Sequence, residues 1–247
     1  MLSKNKAKFI KSLQLKKRRE EHGCFAVEGK KSVLELLRSD FPVRTIVCTE
    51  TFWEENKVLC AGKPAERILC SPAELERLSS FKTNNSALAV AELRPDAGLE
   101  KPRGLVLALD GVSDPGNLGT ILRTADWFGV KTVVASKHTA DVYNPKALQA
   151  SMGSFCRVSL HYADLEEVFR GLRLPVYAAS MEGESAHTFA FERDCIVLFG
   201  SEAHGISAPL LKQVRKTIRI PARGQAESLN VAASAAIICD NYIRMAR

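Results

Sequence analysis

The chain has 247 residues, 46% of them hydrophobic and 26% charged, and a formal net charge of +7. That balance allows one large domain or two modest ones, and it excludes collagen-like, wholly disordered and disulfide-scaffold classes. No apolar run approaches the roughly 18 residues of a membrane span. The start, Met1 to Lys8, is polar and basic without an apolar signal core behind it, so a cytoplasmic protein is expected; a Lys-rich organelle-targeting start is the alternative.

The charge is concentrated at one end. Residues 1–31 hold ten Lys or Arg against three Glu, and the rest of the chain balances to zero. A neutral body behind a basic arm suggests a polyanionic partner, and a solvated helix face is the alternative. A Lys-rich helix is predicted from Phe9 to Arg19. Strands are predicted at Cys24–Val27, Thr45–Cys48, Arg67–Leu69 and Ala87–Ala91. Helices at Lys30–Arg38 and Pro72–Ser80 lie between them. Ser71 is a good cap for the second helix, with Glu74 three residues on. These elements predict a small αβ sandwich over residues 1–94. The segment Arg94–Arg103 has two prolines, a glycine and five charges, and it reads as a linker. The predicted boundaries are therefore 1–94, a linker at 95–103, and a second domain over 104–247.

The second domain alternates regularly. Strands are predicted at Leu105–Leu109, Thr132–Ala135, Phe155–Leu160, Pro175–Ala179, Ile196–Phe199 and Thr217–Ile220. Helices are predicted at Leu118–Phe128, Pro145–Ser151, Asp164–Leu172, Pro209–Val214 and Leu229–Ile243. Short apolar strands alternating with helices predict an α/β fold with a parallel sheet. Seven cysteines (Cys24, Cys48, Cys60, Cys70, Cys156, Cys195 and Cys239) are odd in number and widely spaced. Without a C-x-x-C pair they suggest neither a zinc site nor a redox motif, and no metal is expected. They read as reduced thiols acting as small hydrophobes.

Ligands of parallel sheets sit beyond the carboxyl ends of the strands, so the strand-to-helix turns carry the candidates. The first runs from Asp110 through Asn117 and Gly119 to Arg123. A helix is expected to begin near Asn117; if Asn117 caps it, its side chain points back into the turn and Arg123 sits about two turns in. An Arg in that mostly apolar stretch must reach solvent or meet an anion; a capping Asn and a surface Arg are the plain alternative. The second turn holds Gly200, Ser201, Glu202, Ala203, His204 and Gly205. Glycines after a buried strand let backbone approach a ligand. His204 is either a candidate base or a surface group. The third turn runs from Ile220 to Ser228, Leu229 and Asn230, then into an alanine-rich helix. Helix capping is the plain reading of Ser228 and Asn230. No G-x-G-x-x-G, P-loop or G-x-S-x-G pattern occurs.

In order and separation, the three turns resemble the motifs of the SpoU family of RNA 2′-O-methyltransferases, within the SPOUT superfamily. The first is similar to N-x-G-x-x-x-R (Asn117, Gly119, Arg123) and the second to G-x-E-x-x-G (Gly200, Glu202, Gly205). The third is similar to S-L-N-V (Ser228, Leu229, Asn230, Val231). Tyr143–Ala147 and Ser151–Ser154 resemble the family's central segment. Ala203 departs from the pattern, where glycine is frequent. The resemblance covers Leu105–Arg247, while the N-terminal part is more loosely similar to the family's accessory RNA-binding domain, Glu28-Gly29 included.

The resemblance implies a C-terminal trefoil knot, which periodicity and ordinary connection rules do not predict. It also implies S-adenosylmethionine as cofactor, held by Gly200, Ser201, Ile220, Ser228, Leu229 and Asn230. Transfer to a ribose 2′-hydroxyl would engage Arg123, Asn117, Glu202, Ser228 and Asn230. Arg123 would position a phosphate and stabilise the developing alkoxide. Asn117 and Asn230 would orient it or the ribose, Glu202 would hold the network, and Ser228 would order the third loop. Family members are homodimers, with one subunit's Arg reaching toward the other's cofactor. The large N-terminal domain favours ribosomal over transfer RNA. Transfer RNA methylation and a non-catalytic RNA-binding protein with a vestigial knot stay open as alternatives.

Overall fold

Capping chemistry sets where most helices begin. In the computed structural model, which describes residues 2–81, 84–95 and 98–245, Ser3, Thr49, Ser71, Asp114, Asn144 and Asp164 each accept an amide hydrogen bond from the first turn of a helix. Such side chains satisfy amides that have no partner inside the helix. Asp96 and Ala97 of the expected linker, and Met1 of the basic arm, lie outside the described residues, as do Ala246 and Arg247.

Two units result, Met1–Pro95 with Asp141–Cys156, and Asp96–Ala140 with Arg157–Arg247. The first unit begins with α1 (Lys4–Ser12), α2 (Lys16–His22), β1 (Cys24–Glu28), α3 (Lys30–Arg38) and β2 (Val43–Cys48). It continues with α4 (Glu50–Glu55), α5 (Lys57–Ala61), β3 (Glu66–Leu69), α6 (Pro72–Leu78) and β4 (Ala87–Glu92). The sheet order is β1-β4-β2-β3, with β4 antiparallel to both neighbours and β3 parallel to β2. All four expected strands are there, and Ser71 and Glu74 form the reciprocal capping box expected for α6.

The single helix expected over Phe9–Arg19 is two helices. Leu13 turns inward with Ile10 to join Leu75, Leu78, Leu88 and Val90 in the core, and that demand overrides the helical pattern. Arg19, counted by sequence within the basic arm, is 3% exposed. Its guanidinium donates to the carbonyls of Leu13 and Gln14 and pairs with Asp141. A buried charge needs such complete pairing, so Arg19 is structural and contributes nothing to a cationic surface. The short helices α4 and α5 give too little periodicity to be read from sequence.

The second unit holds β5 (Leu105–Asp110), α7 (Pro115–Trp127) and β6 (Thr132–Ala135). Then α8 (Pro145–Ser151) and a 3-10 turn at Ser154–Cys156 return to the first unit. There Phe25 takes the rings of Tyr143 and Phe155, at centroid distances of 4.4 and 6.0 Å. The sequence reading kept Asp141–Cys156 within the second domain; its aromatic partners on β1 place it in the first unit, a long-range match no local pattern carries. For the same reason the strand expected over Phe155–Leu160 is displaced to Ser159–Tyr162.

The chain resumes the second unit with β7 (Ser159–Tyr162), α9 (Leu165–Leu172), β8 (Val176–Ser180), β9 (Glu184–Ser185) and β10 (Cys195–Gly200). It ends with α10 (Ala208–Leu211), β11 (Lys216–Arg219) and α11 (Val231–Met245). The sheet order is β7-β6-β5-β10-β8-β11-β9, and every pairing is parallel. Strands β5 and β10 are buried on both faces, as their continuous apolar runs require. β10 inserts between β5 and β8, so the ends of β5 and β10 meet, with Asp110 opposite Gly200. Helix α11 packs along α7. Among the described residues no helix is long and apolar enough to cross a membrane.

All seven cysteines are free thiols, five of them buried. Burial pushes Cys48, Cys195 and Cys239 up to about 12 from 9.0. Each favours the folded state while it is protonated. That contribution is complete below the unfolded thiol value and is lost as pH rises toward the folded one. The thermal midpoint is therefore expected to fall progressively from about pH 9 toward pH 12. Calorimetry across that range checks this, and a midpoint level to pH 11.5 contradicts it.

Candidate active site

The site is assembled at the carboxyl ends of β5, β10 and β11. Asp114, rather than Asn117, caps α7: its carboxylate accepts the Asn117 amide at 2.9 Å, and Pro115 takes the first helical position. Pro suits that position because its missing amide would be unpaired there anyway. Asn117 is thereby released from capping. Its side-chain amide donates to Glu202 at 2.5 Å, and its Oδ1 accepts from Asn230 Nδ2 at 3.0 Å. Asn230 is itself the cap of α11, its Oδ1 accepting the amides of Ala232 and Ala233 at 2.9 and 3.3 Å. Capping and site-building are thus carried by opposite ends of one side chain. The chain Glu202–Asn117–Asn230 joins residues 85 and 113 positions apart, one from each turn.

The loop after β10 is closed on itself. Ser201 and Gly205 exchange backbone hydrogen bonds of 3.0 and 2.9 Å, and the His204 amide donates to Ser201 Oγ at 3.1 Å. Gly205 has φ of +66°, a region that favours glycine. A Cβ on Gly200 would sit 2.2 Å from the carbonyl carbon of Gly205 and 2.4 Å from the amide of Ile206. The loop leaves at Ser207, whose amide donates to Asp110 Oδ2 at 2.8 Å. Ala203 is not among the positive-φ residues, so alanine serves there without strain.

Beside this loop lies a cavity of about 650 Å³, a size typical of small-molecule sites. Gly200, Ser201, Glu202, Ile220, Ser228, Leu229 and Asn230 all line it. Apolar walls come from Phe199, Ile218, Ile220 and Ile238. The loop after β8, with Met181, also contributes, as does Arg223 of the third turn. Sequence reasoning missed both: the β8 loop carries no glycine cluster, and Arg223 lies between the residues that carry the motif. Backbone groups from Ala222 to Leu229 have no hydrogen-bond partner among the described residues, so they are open to a ligand. A mainly apolar cleft lined by glycines, with open backbone donors and acceptors, fits a flat, polar-edged nucleoside.

Arg123 does not line the cavity. It is exposed on α7 and makes no hydrogen bond or ion pair with the described residues. His204 is exposed as well, and only its backbone enters the loop's hydrogen bonding.

Residues 104–240 match the SpoU rRNA Methylase family, and residues 4–89 match the MRM3-like substrate binding domain. The chain is similar to 23S rRNA (guanosine(2553)-2′-O)-methyltransferase RlmP of Bacillus subtilis, with 31% identity over 238 residues that cover 94% of each chain. It is similar to the solved structure of a TrmH-family chain from Porphyromonas gingivalis, with 37% identity, TM-score 0.83 and 98% of each chain covered. It is also similar to an AdoMet-bound rRNA methyltransferase structure from Sinorhizobium meliloti, with 26% identity, TM-score 0.88, and 99% and 97% coverage.

Proposed function

Because the chain belongs to the SpoU rRNA methylase family, we propose that it transfers a methyl group from S-adenosylmethionine to a ribose 2′-hydroxyl of RNA, with ribosomal RNA as substrate. The observation that carries this reading is the Glu202–Asn117–Asn230 chain beside the cavity. It ties the helix bearing Arg123 to both loops that line the space. The rRNA 2′-O-methyltransferase to which the chain is similar over nearly its full length supports the choice of substrate.

When bound, the cofactor supplies a methyl group already activated on a sulfonium, so the chemical difficulty lies with the weakly nucleophilic hydroxyl. Gly200, Ser201, Ile220, Ser228, Leu229 and Asn230 would hold it, each being part of the cavity lining. Arg123 is cationic throughout the accessible pH range. Its role is to clamp an RNA phosphate and to stabilise the oxyanion that forms as the 2′-hydroxyl loses its proton. Asn117 and Asn230 hold the start of α7 against the third loop, Glu202 fixes Asn117, and Ser228 orders the loop wall. Orientation of this kind can supply roughly 7–11 kcal/mol of a two-reactant barrier.

The exposed position of Arg123 outside its own cavity is consistent with service to the cavity of a second copy. Trp127 on α7 is 84% exposed and Ile243 on α11 is 53% exposed; both are apolar surface on two packed helices and suit a homodimer contact. The N-terminal domain, residues 1–94, would hold RNA through its phosphates. A trefoil knot over the C-terminal loops and a cytoplasmic location complete the proposal.

The test is incubation with radiolabelled S-adenosylmethionine and separated ribosomal and transfer RNA from a strain lacking the gene. Alkali-resistant labelled dinucleotides from ribosomal RNA are the expected product. Label in ordinary mononucleotides would mean base methylation and overturn the reaction. Label confined to transfer RNA would overturn the substrate.

A further inference from the structure

Glu202 and Arg223 are the only ionisable residues among those that line the cavity. Glu202 is engaged by the Asn117 amide. Arg223, in the loop between β11 and α11, is exposed and makes no hydrogen bond or ion pair with the described residues. Arg223 thus brings to the cavity a permanent cation that makes no ion pair with the described residues. Guanidinium is planar, always charged, and matched in geometry to a carboxylate or phosphate.

Resting on the cofactor assignment above, a ligand of this cavity has a single anionic group. Its sulfonium and α-ammonium repel a guanidinium, its purine and ribose are neutral, and only the α-carboxylate attracts one. We propose that Arg223 binds the α-carboxylate of S-adenosylmethionine and so orients the amino-acid end of the cofactor. RNA phosphate is the competing anion. Arg223 belongs to the cavity wall, whereas Arg123 is exposed on α7 away from it; the two cations therefore divide the two anions between them. The exposure of Arg223 also keeps the carboxylate partly hydrated, which avoids the penalty of burying a charge pair.

The experiment is calorimetric titration of the full chain with two ligands that need no turnover. S-adenosylhomocysteine has the amino-acid end, and 5′-methylthioadenosine lacks it. Arg223→Ala is expected to weaken S-adenosylhomocysteine binding about tenfold, and to leave methylthioadenosine binding within about twofold. Arg223→Lys, which keeps the charge but not the fork, is expected to fall between wild type and alanine. Equal weakening of both ligands would overturn the proposal by showing a structural role for the loop. Unchanged binding of both would overturn it by turning Arg223 toward RNA or solvent. Wild-type protein that binds neither ligand would sink the cofactor assignment itself, a result separate from either of these.

Discussion

Arg123→Ala is expected to slow methyl transfer by about two to three orders of magnitude while cofactor affinity stays within about twofold. The reason is positional. Arg123 is exposed on α7, lines no part of the cavity, and has no partner among the described residues. Removing it leaves the Glu202–Asn117–Asn230 chain and both loops untouched, so the binding space survives. What disappears is a permanent cation where negative charge develops on the ribose oxygen and where phosphate must dock. Arg123→Lys should recover only a fraction, since a point charge does not reproduce bidentate contact. Single-turnover methylation measured beside cofactor titration separates the two effects. Affinity that collapses together with activity would remove Arg123 from this role.

The converse is expected at Gly200. Gly200→Ala would place a methyl group 2.2 Å from the carbonyl carbon of Gly205 and 2.4 Å from the Ile206 amide. Both atoms are backbone and cannot swing aside as a flexible side chain would. The loop must open, which breaks the Ser201–Gly205 pairing and shifts Glu202 away from Asn117. Cofactor affinity is expected to fall by about a hundredfold or more, in line with the cost of overpacking a tight backbone contact. Thermal stability should fall less severely, because β10 ends at Gly200 and its buried ladder remains. Titration and melting of the same variant decide the matter; wild-type affinity with a lowered midpoint would show that the loop conformation does not control binding.

Much of this was legible in the residues. The apolar runs at Leu105–Leu109 and Ile196–Phe199 mark buried parallel strands because both faces of each are covered. The glycines of the second turn mark a close backbone approach because few other residues allow one. Asn117 was misplaced by three positions as the helix cap, since Asp and Asn are equally good caps; Asp114 followed by Pro115 decides it. That correction sharpens the site, because with Asp114 as the cap both ends of the Asn117 amide face Glu202 and Asn230. The packing partners of the α8 segment and of Arg19 escaped the sequence reading for one reason. Each is placed by partners distant in sequence, Phe25 for Tyr143 and Phe155, and Asp141 for Arg19. Arg223 was passed over because nothing local distinguishes it from a surface arginine; only the cavity does.

The strand order has a consequence for the birth of the molecule. β10, which fills the gap between β5 and β8, reaches residue 200 of a 247-residue chain. A chain leaving the ribosome therefore carries one sheet fragment, β7-β6-β5, with an open edge at β5, while β8 and β9 wait unpaired until β10 and then β11 arrive. Long-range parallel pairing of this kind is slow and leaves sticky edges waiting. The loop that follows β10, the third loop and α11 come later still, so the nucleoside-sized space cannot form before all three have been made. Products that stop before these segments have no means of binding the methyl donor, and they gain no stabilisation from it.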